Sequence, residues 1–84
     1  MKYTKNGAIV DAIQNDGTVQ RFAEMRKMFG NEVLSHTKRG IEIMTWEGVK
    51  VARKDDWVIR GRYGNLLKLS DGIFQAEYKP VEDQ

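Results

Sequence analysis

Residues 54–69, KDDWVIRGRYGNLLKL, decide the fold of this chain, because two β-favouring runs flank a glycine-containing segment. The run WVIR predicts one strand and the run LLKL predicts the next. Between them, Gly61 and Gly64 are typical of a hairpin turn that needs positive φ angles. Asp55 and Asp56 precede the first strand and indicate a corner of the chain. This stretch therefore predicts a hairpin entered through a tight corner.

The segment before this hairpin predicts a strand followed by a helix. Residues 8–13, AIVDAI, are mostly apolar and favour a strand, and QNDGT has the composition of a turn. Thr18 is placed to cap the N-terminus of a helix over Val19–Phe29, in which apolar residues recur at spacings of three and four. Gly30 follows directly and fits a left-handed C-terminal cap.

Beyond Gly30 the apolar residues alternate with a period of two. The runs EVLSHT, IEIMTW and VKVARK predict three strands, the last two joined by a tight EG turn. After LLKL, the run SDGIFQAEY predicts a short helical turn capped by Ser70 or Asp71. Three apolar side chains of this turn are expected to pack back on the sheet: Ile73, Phe74 and Tyr78.

The predicted order of elements is β-α-β-β-β-β-β with a short terminal helical turn. We therefore expect an α+β fold, a single helix packed on a curved, mainly antiparallel β-meander. A chain of 84 residues has room for one core, so residues 1–84 are expected to form a single domain. Residues 1–6 are polar and are expected to be frayed, as are residues 82–84.

Composition narrows the classes of function. The absence of cysteine excludes a disulfide scaffold, a thiolate metal site and a cysteine nucleophile. No apolar run approaches the ~20 residues of a membrane span, and the N-terminus lacks a signal-peptide core. We expect a cytoplasmic protein with no membrane partner. The 14 Lys and Arg nearly balance the 12 Asp and Glu, leaving a net charge of +2, a weak footprint for a dedicated nucleic-acid binder.

No catalytic, cofactor or metal site is predicted. Ser35 and His36 adjoin each other, but successive side chains of a strand point to opposite faces, so they cannot act as nucleophile and base. Asp55 and Asp56 lack further acidic partners nearby in sequence and are interpreted as turn formers rather than cation ligands. The GRYG segment, residues 61–64, has the GxxG spacing of a nucleic-acid clamp, but it lies between two predicted strands and favours a hairpin.

Basic and aromatic residues concentrate along the middle of the predicted meander. They suit a solvated face, a protein interface anchored by Arg, Trp and Tyr, or contacts with phosphates and bases, and these alternatives stay open. Arg60, Arg62 and Tyr63 have no evident structural reason to be what they are. The interface candidates are Lys50, Arg53, Arg60, Arg62, Tyr63 and Trp46.

Several motifs resemble those of a family of small phage and prophage proteins. The chain carries AIVDAIQ, IEIMTWEGVKVARKDDWVIRG and DGIFQAEYKPVE, where that family carries VEAIQW, PGDWIIRG and YPCKPDIFEKTYEPV. The similarity runs over residues 8–82 and is sharpest over residues 56–61, DWVIRG. The chain departs from the family at three places. Asn15 stands where a Trp is typical, Lys54 and Asp55 replace a PG pair, and residues 64–67, GNLL, replace the family's GE-Y-P segment. The resemblance implies a phage origin and supplies no reaction and no functional residues.

We therefore expect a non-enzymatic phage accessory protein that acts as a binding module and engages or inhibits a host protein in the bacterial cytoplasm. The motivation is a cluster of Arg and aromatic residues on a scaffold without a catalytic set. The alternative is a nucleic-acid-binding protein that serves phage replication or regulation. A binder of small ligands such as nucleotides is a third hypothesis, and a homodimer is compatible with all three.

Overall fold

The structure, a computed structural model, describes residues 2–81. Those residues form an α+β fold with eight strands and two α-helices. In chain order the elements are β1 (Lys2–Lys5), β2 (Ala8–Gln14), α1 (Val19–Phe29), a 3₁₀ turn (Gly30–Glu32), β3 (Val33–Thr37), β4 (Gly40–Thr45), β5 (Gly48–Ala52), β6 (Trp57–Arg60), β7 (Leu66–Leu69), α2 (Asp71–Glu77) and β8 (Lys79–Pro80). Among these described residues, no helix is both long and apolar enough to cross a membrane.

The sheet consists of two antiparallel parts joined at one point. One part contains β3, β4 and β5, and the other runs in the order β7-β6-β2-β1-β8. They meet where Thr45, at the end of β4, pairs in parallel with Leu66, at the start of β7. The predicted continuous meander is wrong at this place, because β5 pairs with β4 while β6 pairs with β2 and β7.

Strand β6 lies between β2 and β7, inside the sheet, and its side chains are apolar on both faces. Trp57, Val58 and Ile59 are all buried, so the prediction that Trp57 and Ile59 face the core is confirmed. Val58 points the other way and joins a separate cluster. A strand that buries both faces needs cover above and below the sheet, and the clusters under α1 and α2 provide it.

The first cluster fills the space between the sheet and α1. Both ends of this helix are confirmed: Thr18 Oγ1 accepts from Arg21 N at 3.1 Å, and Gly30 has a φ of 77°. The helix buries Met25 and Phe29, as its apolar spacing predicts. The cluster of buried side chains is Met25, Phe29, Val33, Ile41, Ile43, Ala52, Val58 and Leu66.

The second cluster lies on the opposite face, under α2. Ser70 caps this helix as predicted, and Phe74 is fully buried with its ring 3.8 Å from that of Trp57. The expected burial of Ile73 is wrong, because this side chain is 50% exposed. The second helix thus covers the face that α1 leaves open. The buried members are Tyr3, Ala12, Trp57, Ile59 and Phe74.

The N-terminal residues differ from the expectation that they are frayed. Lys2–Lys5 form β1, a hairpin partner of β2, and Val81 N donates to Lys2 O at 3.1 Å. Asn6 and Gly7 have φ angles of 52° and 84°, as a two-residue hairpin turn of this type requires. The expectation for residues 82–84 lies outside the described residues.

Acid is expected to weaken the hydrogen bond between Trp57 in β6 and Asp71 in α2. Trp57 Nε1 donates to Asp71 Oδ1 at 2.8 Å, and this bond, with a second from Gln75, holds the pKa of Asp71 below its usual 3.8. The unfolded chain therefore binds a proton at Asp71 more readily than the folded chain. The stabilisation that the hydrogen bond gives the folded state is present above pH 3.8 and is lost as pH falls through the lower folded-state pKa.

The free energy of unfolding of Asp71→Asn should therefore fall less steeply than that of the wild type as pH decreases below 3.8. Urea denaturation at a series of pH values measures this slope. Asp55→Asn makes the same charge change on an exposed side chain and serves as the control. Equal slopes for wild type and Asp71→Asn would contradict the prediction.

Candidate binding surface

Two large aromatic side chains stand in solvent at the tips of neighbouring hairpins. Trp46 lies in the β4–β5 turn and is 71% exposed, and Tyr63 lies in the β6–β7 turn and is 74% exposed. Their rings stack with centroids 6.3 Å apart and planes 20° from parallel. The Thr45–Leu66 pairing brings the two tips together. We call Trp46 and Tyr63 the aromatic pair.

The turn that carries Trp46 is held by its own hydrogen bonds. Thr45 Oγ1 donates to Gly48 O at 2.7 Å and accepts from Glu47 N at 3.1 Å. Gly48 has a φ of 98°, which suits glycine. The hydroxyl of Thr45 therefore closes the turn and leaves the Trp46 and Glu47 side chains at its tip.

The turn that carries Tyr63 is closed in a similar way. Gly61 N donates to Asn65 O at 2.7 Å, and Gly64 N donates to Gly61 O at 3.0 Å. Gly64 has the predicted positive φ, at 86°, but Gly61 does not. At Gly61 a Cβ would lie 3.0 Å from Asn65 Oδ1 and 3.4 Å from Asn65 O, so the Asn65 side chain would have to shift slightly. Both aromatic rings thus stand on ordered backbone.

Apolar and basic side chains continue the surface around the aromatic pair. Met44 and Val49 face each other across β4 and β5 beside the Trp46 turn and are 42% and 50% exposed. Arg62 and Lys50 are exposed and form no salt bridge with any described residue. The surface therefore has an apolar centre with Arg62 beside it and Glu47 at the tip of the Trp46 turn, while Lys50 lies on the opposite face of β5 from Val49.

Arg60, a predicted interface residue, has a structural role instead. Its Nη1 donates to Glu32 Oε1 at 2.6 Å, its Nη2 donates to Phe29 O at 2.9 Å, and Gly64 O accepts from Nη1 as well. The guanidinium also lies over the Phe29 ring, 5.4 Å from its centroid. The interpretation that Arg60 has no structural reason to be arginine is wrong, because it ties the end of α1 to β6.

The basic residues of the middle segment do not form one face. Arg53 and Lys54 follow β5 at the Gly40 end of β4, whereas Lys50 lies beside Thr45 and Arg62 beside Tyr63 at the other end. Their bunching in sequence therefore does not persist in space. Of the six interface candidates, the structure brings Trp46 and Tyr63 into contact, and Arg62 adjoins Tyr63 in the same turn. Lys50 lies near Thr45 and Glu47 on the other face of β5.

The other sequence candidates have local structural partners. His36 stacks on Phe22 of α1 with ring centroids 5.6 Å apart, while Ser35 Oγ donates to Glu42 Oε1 on the opposite face of β3. Asp56 closes the predicted corner by accepting from Arg53 N at 2.9 Å. Within residues 2–81 no group of three or more His, Asp or Glu side chains is arranged to hold a metal ion.

Asn15, which the sequence predicts to lie in a turn after β2, is buried in the structure. Its side chain is 1% exposed, donates to Ala52 O at 2.9 Å and accepts from Gly17 N at 2.9 Å. Its backbone donates to Asp56 O and accepts from Asp55 N. Asn15 therefore fastens the loop after β2 to the loop after β5. Only the long-range pairing of β2 with β6 reveals this role.

Comparisons with known proteins return nothing similar: no family model, no curated protein and no solved structure matches this chain. The resemblance to small phage proteins therefore stays an expectation drawn from the motifs.

Proposed function

We propose that this chain is a non-enzymatic binding module that engages a partner protein through the aromatic pair and its apolar and basic surroundings. The observation that carries the proposal is the stacking of Trp46 on Tyr63 while more than two thirds of each side chain is exposed. Following the resemblance of its motifs, we propose a phage accessory protein whose partner is a protein of the bacterial host cytoplasm.

The aromatic pair does not contribute to the buried core of the fold. Each ring stands at a turn closed by backbone and threonine hydrogen bonds, and neither belongs to a buried cluster. Large aromatic side chains are the usual anchors of protein interfaces, because they bury much area and lose little conformational freedom. A partner that covers both rings would remove this exposed apolar area from water.

The surroundings define the chemistry of the partner. Trp46, Met44 and Val49 would fit an apolar groove. Arg62 adjoins Tyr63 and forms no salt bridge within residues 2–81, so we expect an acidic side chain of the partner at the rim of that groove. Rim charges of this kind would speed association and select the partner rather than supply most of the affinity.

The nucleic-acid alternative has weaker support. Arg60 is engaged with Glu32, Arg53 and Lys54 lie at the other end of β4, and Lys50 lies on the opposite face of β5 from Val49. Arg62 is the described basic residue that adjoins the aromatic pair in the chain. Nucleic-acid surfaces of this type combine stacking rings with a longer basic track. A second copy of this chain is the other molecule to test as the partner that covers the aromatic pair.

Affinity capture from a bacterial lysate tests the proposal with matched variants. The tagged wild type should retain a stoichiometric protein, and Trp46→Ala and Tyr63→Ala should each lose it. Both variants should keep their free energy of unfolding within ~0.5 kcal/mol, because the rings are exposed. Val19→Ala removes a side chain that is 67% exposed on α1 and should retain the partner.

Three outcomes would contradict the proposal. One is that no protein is retained, and another is that Trp46→Ala and Val19→Ala retain it equally. The third is that light scattering finds a dimer for the wild type and a monomer for Trp46→Ala, which would assign the surface to a second copy. Loss of the captured protein on nuclease treatment would favour the nucleic-acid alternative.

A further inference from the structure

A basic cleft opens at the end of β4 that is farthest from the aromatic pair. It has a volume of about 480 Å³ and lies between three loops: the loop after β2, the β3–β4 turn and the loop after β5. The side chains and backbone that line it are Asn15, Gly17, His36, Thr37, Lys38, Arg39, Gly40 and Lys54. Four of these eight residues are basic types and none is acidic. The volume is in the range of small-ligand sites, which is ~300–1,000 Å³.

The floor of this cleft is fixed by buried hydrogen bonds. Asn15 binds Ala52 O and Gly17 N through its side chain, and Asp55 and Asp56 through its backbone. Gly40 approaches the same backbone so closely that a Cβ there would lie 2.3 Å from Ala52 O. The loops on either side are therefore held together before any ligand arrives, which lowers the ordering cost of binding.

The rim carries cations on ordered supports. Lys38 and Arg39 form the tip of a turn in which Thr37 Oγ1 donates to Gly40 O and accepts from Arg39 N, both at 3.1 Å. This is the same closure that Thr45 makes at the Trp46 turn. The methylene groups of Lys54 pack at 3.5–3.9 Å from the position of a Cβ on Gly17, so its stem lies along the cleft wall.

These three cations have no acidic partner in the described chain. Lys38, Arg39 and Lys54 are exposed and take part in none of the salt bridges formed within residues 2–81. Two acids lie near these cations in sequence. Asp55 follows Lys54 and is exposed, and Asp16 accepts from Thr18 N and Thr18 Oγ1 and pairs with Arg21. Neither forms a salt bridge with the three cations within residues 2–81, so the cleft carries net positive charge over a rigid floor.

We infer that this cleft binds the phosphate group of a ligand, with Arg39, Lys38 and Lys54 as its charged contacts. Arginine offers paired N–H donors that match phosphate oxygens, and lysine adds mobile ammonium donors. The chain's small net charge of +2 does not create a general attraction for polyanions, so the attraction is local to the cleft. Small phosphorylated molecules and nucleic-acid strands both carry this group, and the experiment distinguishes the two sources.

The cleft is independent of the proposed protein interface. Gly40 and Thr45 are the two ends of β4, so the cleft and the aromatic pair lie about 17 Å apart along the strand at ~3.3 Å per residue. Phosphate binding at the cleft and protein binding at the aromatic pair can therefore succeed or fail separately.

Isothermal titration with three probes tests the inference: inorganic pyrophosphate, adenosine monophosphate and a short single-stranded DNA. We expect saturable binding of at least one probe to the wild type. Lys54→Met keeps the methylene packing on Gly17 and removes the charge, and Arg39→Met does the same on the turn. Each should weaken binding about tenfold, as loss of a charged hydrogen bond does. Lys79→Met removes an exposed cation from β8 and should bind like the wild type.

The probes identify the source of the phosphate. Binding of pyrophosphate or the mononucleotide indicates a small phosphorylated ligand. Binding of the DNA alone, weakened by Lys54→Met and steeply reduced by salt, indicates nucleic-acid phosphates. No binding of any probe, or equal weakening by Lys54→Met and Lys79→Met, would overturn the inference.

Discussion

Replacement of Phe74 by alanine should lower the free energy of unfolding by ~3–5 kcal/mol. Phe74 is fully buried between α2 and the sheet, and its ring lies 3.8 Å from Trp57, 5.0 Å from Tyr78 and 4.9 Å from Tyr3. Its removal would leave a cavity at the centre of the second cluster. A domain of 84 residues has a total stability of ~4–13 kcal/mol, so this loss is a large fraction.

Urea denaturation of Phe74→Ala and Ile73→Ala measures this effect with a matched control. Ile73 adjoins Phe74 on the same helix but is 50% exposed, so its replacement should change stability by ~1 kcal/mol or less. If both variants lose the same amount, the second cluster does not contribute as a core.

Replacement of Gly40 by alanine should lower the free energy of unfolding by ~3–5 kcal/mol. The added Cβ would lie 2.3 Å from Ala52 O and 2.9 Å from Ala52 C, both backbone atoms, so the β4–β5 pair or the loop after β5 must move. Gly40 also has a φ of 144°, in a region that side chains rarely adopt. Steric conflict and backbone strain therefore act together at this position.

Gly48→Ala separates these two causes. Gly48 has a φ of 98°, but a Cβ there would meet nothing within 4 Å. Its replacement should cost only the backbone strain, about 1–2 kcal/mol. Thermal unfolding of the two variants compares them directly. A loss in Gly40→Ala no greater than that in Gly48→Ala would show that the close approach at Ala52 is not a constraint on the fold.

Local signals in the sequence were sufficient for both helices. Thr18 and Gly30 delimit α1 because capping depends on residues within one turn of the helix end. The same holds for Ser70 at the start of α2. The Asn6-Gly7 turn is an equally local signal of the β1–β2 hairpin. The polar composition of residues 1–6 favours a frayed end instead, and this is why the sequence prediction and the structure differ there.

Contacts that depend on pairing between strands far apart in the chain cannot be predicted from local sequence signals. The run Trp57-Val58-Ile59 does indicate burial on both faces, yet it does not say which strands lie beside β6. Arg60 meets Glu32, and Asn15 meets Ala52, across 28 and 37 residues of chain. The same limit applies to the candidate surface. Trp46 and Tyr63 were both named from composition, but their stacking depends on the Thr45–Leu66 pairing.

The affinity of the captured partner protein for the wild type and for Trp46→Ala tests the central claim most directly. Titration of the purified partner should give a Kd at least ~30-fold higher for Trp46→Ala, because an interface anchor of this kind contributes ~2 kcal/mol or more. Val19→Ala should give the Kd of the wild type. A Kd for Trp46→Ala within about threefold of the wild type would contradict the claim that the aromatic pair is the binding surface.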